Sequence, residues 1–352
     1  MTRDMGWAVL STDFSPNKQW VAYSGWHNSV HLVNTTGDHE IHEALEFMNG
    51  RNRNALFSVK FSADSREILG GSKDCHVYLY DIETKRRTHR VLAHSDDINN
   101  VAWADESSQV FFTGSDDRMI KIWDRRTINN DGKPVGTLPG HLHGITYIDS
   151  RGDGRYLISN GKDQCIKLWD LRSMAPGDEE PQGAHSGPLY GMLDYRMGVP
   201  SRTMLHRRLE NDVSVMTYRG HEVAETLIRC KFSPARPTGQ KYIYTGSHGG
   251  DVVIFDVLTG RIVQKLSGHT ETVRDLDWHP EMQTLVSTGW DGRVIEWTWS
   301  PGDIGLSDIM AQVDDEGAED TEEEEDGDWR RNSTLFGNRA PHLNPRNVLF
   351  QS

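Results

Sequence analysis

The sequence of 352 residues has little cysteine: it contains three, Cys75, Cys165 and Cys230. Their number is odd, they lie far apart, and no two have the CxxC spacing of a zinc or redox site. This excludes a disulfide framework of the kind that secreted domains use. Such cysteine usage is typical of a reducing compartment, so we expect the protein in the nucleus or the cytoplasm.

Long apolar runs are also missing. No segment approaches the ~20 apolar residues that a membrane helix needs. The first ten residues, MTRDMGWAVL, do not show the basic and apolar regions of a signal peptide. We therefore expect no membrane association.

Basic residues are scarce relative to acidic ones. The formal net charge is −14, and the range Asp314–Asp328 holds eleven acidic residues and no basic one. Binding to nucleic acid needs a basic stripe, so the sequence predicts no nucleic-acid partner. The polar, acidic segment 301–352 is predicted to be a disordered tail that follows a propeller domain at 1–300.

What the sequence does contain is a repeat. Six units end at equivalent positions, which are Val33, Tyr80, Trp123, Trp169, Phe255 and Trp297. The successive spacings are 47, 43, 46, 86 and 42 residues, and the endings VYLYD, IKIWD, IKLWD and VVIFD alternate apolar residues with others. A period in the low forties with this alternation is typical of a WD-repeat β-propeller, with four short strands in each blade. We therefore predict an all-β fold with six visible repeats.

Polar residues recur at fixed places in the third, fourth and sixth units. Each of these units has a histidine at its start, a serine or threonine ten residues before the tryptophan, and an aspartate six residues before it. The three sets are His94, Thr113, Asp117 and Trp123; His141, Ser159, Asp163 and Trp169; and His269, Ser287, Asp291 and Trp297. A catalytic triad occurs once, at one pocket, whereas this constellation recurs from blade to blade. We interpret it as a structural hydrogen-bond network, so the sequence predicts no enzyme, no metal site and no cofactor.

The remaining units are less complete. His27 stands where the first unit needs an aspartate, Gly70 replaces the serine or threonine of the second unit, and Gly249 replaces the aspartate of the fifth. His221 opens the fifth unit in the same way as the other histidines. We expect packing between sheets to hold these blades without a full polar set.

The 86-residue interval between Trp169 and Phe255 covers about two periods. Much of it is rich in Pro, Gly and polar residues without strand alternation. We therefore predict an insertion at 173–212, not a hidden blade, with SVMTY resuming as the outer strand. The last unit ends with its third strand, VIEWTW. Because propellers close by pairing one terminus with the other, we expect its outer strand to come from residues before the first unit.

Two consecutive units share an arginine, in IKIWDRR and IKLWDLR. Arg126 and Arg172 each stand two residues after the Asp of the ending, Asp124 and Asp170. Both follow the third strand of neighbouring blades, so we expect them on one face, about one blade apart. Guanidinium is a rigid fork that suits carboxylates and carbonyls and is frequent at interface hot spots. Each Arg could instead pair with the nearby Asp and cap a loop, and the motif alone leaves the two interpretations about even.

The chain resembles a known family from about residue 7 to residue 297. The resemblance is carried by the two arginine-containing endings and by the segments WADESSQVFFTGSDD, GHLHGITYIDSRGDGRYLISNGKDQCIKLWDLR and TLIRCKFSPARPTGQKYIYTGS. These are similar to the WD-repeat substrate receptors of cullin-4 RING ubiquitin ligases. In that family these arginines bind the damaged-DNA-binding-protein-type propeller adaptor. The resemblance implies that Arg126 and Arg172 are adaptor-binding residues, supported by Asp117, Asp124, Asp163 and Asp170. Family members have seven repeats, which implies one more repeat before the first unit.

The resemblance implies a non-catalytic receptor that holds an unidentified protein substrate near a ubiquitin-loaded enzyme. A general WD-repeat scaffold for a nuclear or cytoplasmic complex, without a ligase role, is the alternative. An enzyme has the least support, because the sequence shows no catalytic constellation that occurs only once.

Overall fold

Alternating side chains and frequent turn residues build this chain from short strands. The computed structural model describes residues 8–37, 42–48, 54–128, 132–177, 196, 208–298 and 344–348. These residues form six antiparallel sheets, five with four strands and one with five. The predicted all-β propeller with six repeats is confirmed.

The first three blades follow the chain without interruption. Blade one contains β1 (Val9–Phe14), β2 (Trp20–Gly25), β3 (Ser29–Asn34) and β4 (His42–Glu46). Blade two contains β5 (Leu56–Phe61), β6 (Glu67–Ser72), β7 (His76–Asp81) and β8 (Arg86–Leu92). Blade three contains β9 (Ile98–Trp103), β10 (Val110–Ser115), β11 (Ile120–Asp124) and β12 (Gly136–Leu138).

The last three blades include two strands that arrive from distant segments. Blade four contains β13 (Ile145–Ser150), β14 (Tyr156–Gly161), β15 (Cys165–Asp170) and β17 (Met216–Tyr218), while β16 (Ala175–Pro176) joins blade three. Blade five contains β18 (Cys230–Phe232), β19 (Tyr242–Gly246), β20 (Asp251–Asp256) and β21 (Ile262–Ser267). Blade six contains β22 (Val273–Trp278), β23 (Thr284–Gly289), β24 (Val294–Thr298) and β25 (Asn344–Val348). A 3₁₀ turn (Leu171–Ser173) and the four-residue helix α1 (Ala235–Thr238) lie between strands.

Polar side chains on the inner strands connect successive blades. Asp13 on β1 accepts the backbone N–H of Phe61 on β5 at 2.8 Å. Asp149 on β13 accepts that of Phe232 on β18 at the same distance. Each of these bonds pairs a backbone donor that would otherwise face a neighbouring blade unpaired, so the bonds set the spacing between the sheets.

Apolar packing between neighbouring blades forms the core. Five hydrophobic clusters lie between blades one and two, two and three, three and four, four and five, and five and six. The large residues buried there include Phe47, Phe112, Trp169 and Phe255. Removing this apolar surface from water is the main stabilising contribution to the ring.

The contact between blade six and blade one is of a different kind. None of these five clusters joins the two blades, and the Arg274 guanidinium donates to the Leu10 carbonyl oxygen across the boundary at 2.9 Å. Phe14 on β1 is 59% exposed, whereas Phe61 at the equivalent position of β5 is 4% exposed. Over the residues that the structure describes, this boundary is therefore more polar and more open than the other five.

The outer strand of blade six comes from the end of the chain opposite to the one predicted. β25 pairs antiparallel with β24, with Asn347 opposite Ile295. The prediction that residues before the first unit supply this strand is wrong for this sheet. A sheet edge offers only main-chain N–H and C=O groups, so any extended segment within reach can pair with it. The predicted disorder of 301–352 concerns residues outside the described part, apart from 344–348, which form this strand.

The predicted insertion begins as an additional edge strand. Thr137 on β12 pairs with Ala175 on β16, which makes blade three five-stranded. β17 then completes blade four, as predicted for SVMTY. Most of the insertion, at 178–195 and 197–207, lies outside the described residues.

The inner-strand carboxylate of Asp149 gives the fold a pH dependence. Burial raises its pKa from 3.8 to about 6, so the folded protein keeps a proton there after the unfolded chain has lost it. Folding therefore takes up a proton between about pH 4 and pH 6. The stability contributed by this group falls as the pH rises through that window.

Asp149→Asn is accordingly expected to be more stable than the wild type above about pH 6, by roughly 1–3 kcal/mol. The asparagine oxygen can still accept the Phe232 N–H but carries no buried charge. Urea unfolding at acidic and mildly alkaline pH measures the difference, which should vanish below about pH 4.

Asp13→Asn is the matched control. Asp13 also accepts a backbone N–H, but it forms a 2.8 Å ion pair with Lys60, and its neutralisation should lower stability. A loss of stability in Asp149→Asn at alkaline pH would contradict the assignment.

Candidate functional site

Two strand ends carry the arginines that the sequence singled out. β11 and β15 are third strands of adjacent blades, and each ends in a tryptophan and an aspartate. Trp123 and Trp169 point into the core and are almost fully buried. Because side chains alternate along a strand, the following aspartate points the other way and lies at the end of the sheet. The turn that follows brings the arginine back over that aspartate.

The two arginines have the same local geometry. Asp124 accepts the backbone N–H of Arg126 at 3.0 Å, and the guanidinium donates through Nε at 2.8 Å and Nη2 at 2.5 Å. Asp170 accepts the backbone N–H of Arg172 at 3.0 Å, and Nη2 donates at 2.7 Å. The bonds from Arg126 and Arg172 hold the pKa of each aspartate below its usual range.

These ion pairs leave the guanidinium groups accessible. The side chains of Arg126 and Arg172 are 66% and 69% exposed, while both aspartates are mostly covered. Each arginine therefore pairs with its aspartate and also presents one side of the planar fork to solvent. The two interpretations left open by the motif are compatible, because pairing orients the group and exposure lets it bind.

The structure brings together each of the three predicted polar sets. In blade three, His94 Nδ1 lies 2.7 Å from Asp117 Oδ2, and His94 Nε2 lies 2.6 Å from Thr113 Oγ1. The indole N–H of Trp123 donates to the same hydroxyl at 3.0 Å. Blades four and six repeat this arrangement in His141, Ser159, Asp163 and Trp169, and in His269, Ser287, Asp291 and Trp297. Each set links the start of a blade to its second and third strands.

A glycine before the histidine makes room for the tryptophan. A Cβ atom at Gly140 would lie 2.8 Å from Cη2 of Trp169, and one at Gly268 would lie the same distance from Cη2 of Trp297. Carbon atoms do not approach this closely, so a larger residue would displace the ring from its hydroxyl partner. At Gly140 an added Cβ would also meet the Asp212 carboxylate, so both contacts favour glycine there.

The incomplete units use other contacts. In blade two, Asp74 accepts a hydrogen bond from the Tyr78 hydroxyl at 2.6 Å. In blade five, His221 lies 2.9 Å from Asn160 of the preceding blade, and the Thr245 hydroxyl donates to the Arg229 carbonyl oxygen. Thr245 stands ten residues before Phe255, in the place that Thr113 takes in blade three, but the bonds of His221 and Thr245 lead to these other partners.

One cluster resembles a metal-ligand set. His141, Asp163 and Cys165 are buried, with their ligand atoms within 4.8 Å of one another. Both ring nitrogens of His141 already have protein partners, Asp163 and Ser159. Burial raises the pKa of the Cys165 thiol well above its usual value, so the ligating thiolate is disfavoured. The geometry suits a structural network better than a metal centre.

Two ion pairs that the structure contains were not predicted from the sequence. Arg155 donates to Asp170 at 3.0 Å, so this carboxylate has two arginine partners. Lys167 of β15 forms a buried 2.7 Å pair with Asp212, the last residue of the predicted insertion. The residues of both pairs are of common types, and no motif in the sequence marks their positions. Folding brings each pair together.

Comparison with known proteins gives this geometry a context. The family model described as "WD domain, G-beta repeat" matches residues 45–81, 85–124, 132–170 and 260–298. A LEC14B homolog of Prunus armeniaca is 44% identical over 317 residues, which are 86% of this chain and 65% of that protein. The DDB1- and CUL4-associated factor 11 homolog of Caenorhabditis elegans is 39% identical over 310 residues, 86% of this chain and 53% of that protein. The chain thus spans between about half and two thirds of the length of these curated relatives.

A solved structure supports the fold. One chain of a structure titled "Crystal Structure of Mitotic Checkpoint Complex" superposes with a TM-score of 0.61 and 20% identity, covering 83% of this chain and 76% of that one. Within its described residues, the present structure has no helix that is long and apolar enough to cross a membrane. The chain is thus a WD-repeat β-propeller, and it is similar in sequence to LEC14B proteins and to DDB1- and CUL4-associated factor 11 homologues.

Proposed function

We propose that this protein is a non-catalytic substrate receptor that links a target protein to the damaged-DNA-binding-protein-type propeller adaptor of a cullin-4 RING ubiquitin ligase. The observation that carries the proposal is the pair of exposed, aspartate-bound arginines, Arg126 and Arg172, at equivalent ends of neighbouring blades. The two strand ends form one candidate adaptor-binding edge.

Pre-organisation is the physical argument for binding at this edge. An arginine that hangs free in solvent loses side-chain entropy when it binds, roughly 0.5–1.5 kcal/mol for each immobilised side chain. Asp124 and Asp170 already hold the two guanidinium groups through backbone and side-chain hydrogen bonds. Part of this ordering cost is therefore met in the free protein, and the exposed N–H groups can bond to a partner's carboxylate or carbonyl oxygen.

The name of one relative supports the same function. The Caenorhabditis elegans relative is named as a factor associated with DDB1 and CUL4. We extend that association to this chain as a proposal, and with it a location in the nucleus or the cytoplasm, which the three free cysteines fit. The non-catalytic role is supported by the repetition of the His-Ser/Thr-Asp sets in three blades, where each set ties strands together.

Direct binding to the purified adaptor tests the proposal. The purified protein should form a stable complex with the adaptor on size-exclusion chromatography and bind it saturably by calorimetry. Addition of the cullin-4 and RING components should then give ubiquitination of a protein that co-purifies with this chain. If the protein captures partners from extract but binds neither the purified adaptor nor the assembled ligase, the general scaffold without a ligase role is the better function.

A further inference from the structure

The two arginine motifs differ in one respect that the sequence repeat conceals. The carboxylate of Asp170 accepts hydrogen bonds from two guanidinium groups, those of Arg172 and Arg155, at 2.7 and 3.0 Å. Asp124 accepts side-chain bonds from Arg126. We call Arg155 and Arg172 the blade-four arginine pair.

Backbone hydrogen bonds show which residue of blade three corresponds to Arg155. The N–H of Leu171 donates to the carbonyl oxygen of Arg155 at 2.9 Å, and in blade three the N–H of Arg125 donates to that of Gln109 at the same distance. Gln109 and Arg155 thus occupy the same place, immediately before the second strand of their blades. The side chain at this position is a neutral amide in blade three and a guanidinium in blade four.

Contacts within blade four hold Arg155 at the edge without covering it. Its guanidinium carbon lies 4.6 Å from the centre of the Tyr156 ring, and its Nη2 bonds to Asp170. The side chain is still 41% exposed. Arg155 is therefore held in place by hydrogen bonding to the same aspartate as Arg172, and its guanidinium remains partly exposed.

The charges at the two motifs are consequently unequal. Arg155, Arg172 and Asp170 sum to +1, whereas Arg126 and Asp124 sum to zero. The loop before the second strand of blade three adds Asp105 and Glu106, and Glu106 is exposed. The matching loop of blade four adds Arg151 and Asp153, which form a 3.7 Å ion pair and sum to zero. A carboxylate approaching this edge is therefore attracted to blade four and repelled near blade three.

We propose that the blade-four arginine pair receives an acidic side chain of the adaptor, and that Arg155 is a third adaptor-contacting residue. The inference rests on the proposed function and deepens it, because it states which blade takes the partner's negative charge. Blade three then contributes the neutral contact of Arg126, which suits a backbone carbonyl. The charge difference between the blades orients the adaptor along the edge.

The test exchanges the residue of one blade for that of the other. Arg155→Gln places in blade four the glutamine that blade three has at the equivalent position, Gln109, and removes the excess charge. Because glutamine already occupies this position in blade three, the backbone should accommodate it. We expect adaptor binding about tenfold weaker, with a melting temperature within about 2 °C of the wild type. The affinity of the wild type should fall more steeply than that of the variant between about 50 mM and about 300 mM sodium chloride, because one charge contact is screened. Arg155→Lys should recover part of the loss.

Arg66→Gln is the matched control, since Arg66 precedes the second strand of blade two and is exposed. It should bind like the wild type. If Arg155→Gln binds like the wild type while the Arg126 and Arg172 double variant does not bind, this inference is wrong and Arg155 only positions Asp170. Loss of affinity in Arg155→Gln with an unchanged salt dependence also overturns it. If the double variant itself binds normally, it is the proposed function that fails.

Discussion

Replacing Arg126 and Arg172 together with alanine is expected to abolish stable capture of the cullin-4 adaptor and leave the propeller folded. Truncation of a paired interface arginine typically costs ~2–5 kcal/mol of binding free energy, so two losses exceed a hundredfold in affinity. The cost to the fold should be small. Both side chains are about two thirds exposed, and exposed ion pairs contribute only about 0–1 kcal/mol to stability.

The experiment pairs a thermal melt with calorimetric titration of the adaptor for each variant. Arg236→Ala is the matched control, because Arg236 is an exposed arginine in a 2.6 Å ion pair with Glu281 on a different part of the ring. It should change neither the melting temperature nor the affinity. A double variant that melts normally and captures the adaptor at wild-type levels would remove the main support for the receptor function.

Replacing Asp163 with alanine is expected to act on the fold first. The carboxylate is buried and accepts hydrogen bonds from the Leu142 N–H at 2.8 Å and from His141 Nδ1 at 3.0 Å. Burial alone would raise its pKa, but the charge and hydrogen bonds of its neighbours outweigh burial and hold the pKa well below its usual range. The alanine variant leaves those donors unpaired in the core of blade four. We expect a loss of roughly 3–5 kcal/mol and a clearly lower melting temperature.

Adaptor binding should fall together with stability in this variant, because the same blade carries Arg172. Differential scanning calorimetry and the adaptor titration separate this result from that of the arginine variants, which lose binding alone. Asp163→Asn is the control, since its side-chain oxygen can still accept one of the two bonds and should retain part of the stability. An alanine variant within about 1 kcal/mol of the wild type would show that the polar set contributes little to this blade.

The repeat could be predicted from the sequence because its information is local. Alternation before Trp123 and Trp169, with histidine, serine or threonine, and aspartate at fixed distances, specifies one strand arrangement. Each residue type has a single role within its own blade. The six repeats and the positions of Arg126 and Arg172 at strand ends follow from that spacing, whereas the prediction of an insertion at 173–212 depended on composition.

The choice of partner for individual polar side chains, within a blade or between blades, did not follow from the repeat. The pairing of Arg155 with Asp170 depends on a loop and a strand end meeting at one edge, and the pairing of His221 with Asn160 depends on the packing of one blade on the next. In both cases the residue types permit several partners of similar energy. The partner is selected by distance in the folded ring, which spacing along the chain does not encode.

The sequence by itself thus determined the architecture, the three polar sets and the two candidate adaptor-binding arginines. Only the tertiary structure decided which segment completes blade six, how open the boundary with blade one is, and which blade carries the excess positive charge. Main-chain pairing at a sheet edge makes almost no demand on side chains, so the choice of Asn344–Val348 leaves little trace in the composition. The excess charge of blade four depends on side chains from a loop and a strand end, Arg155 and Asp170, which meet only when the strands of that blade pair.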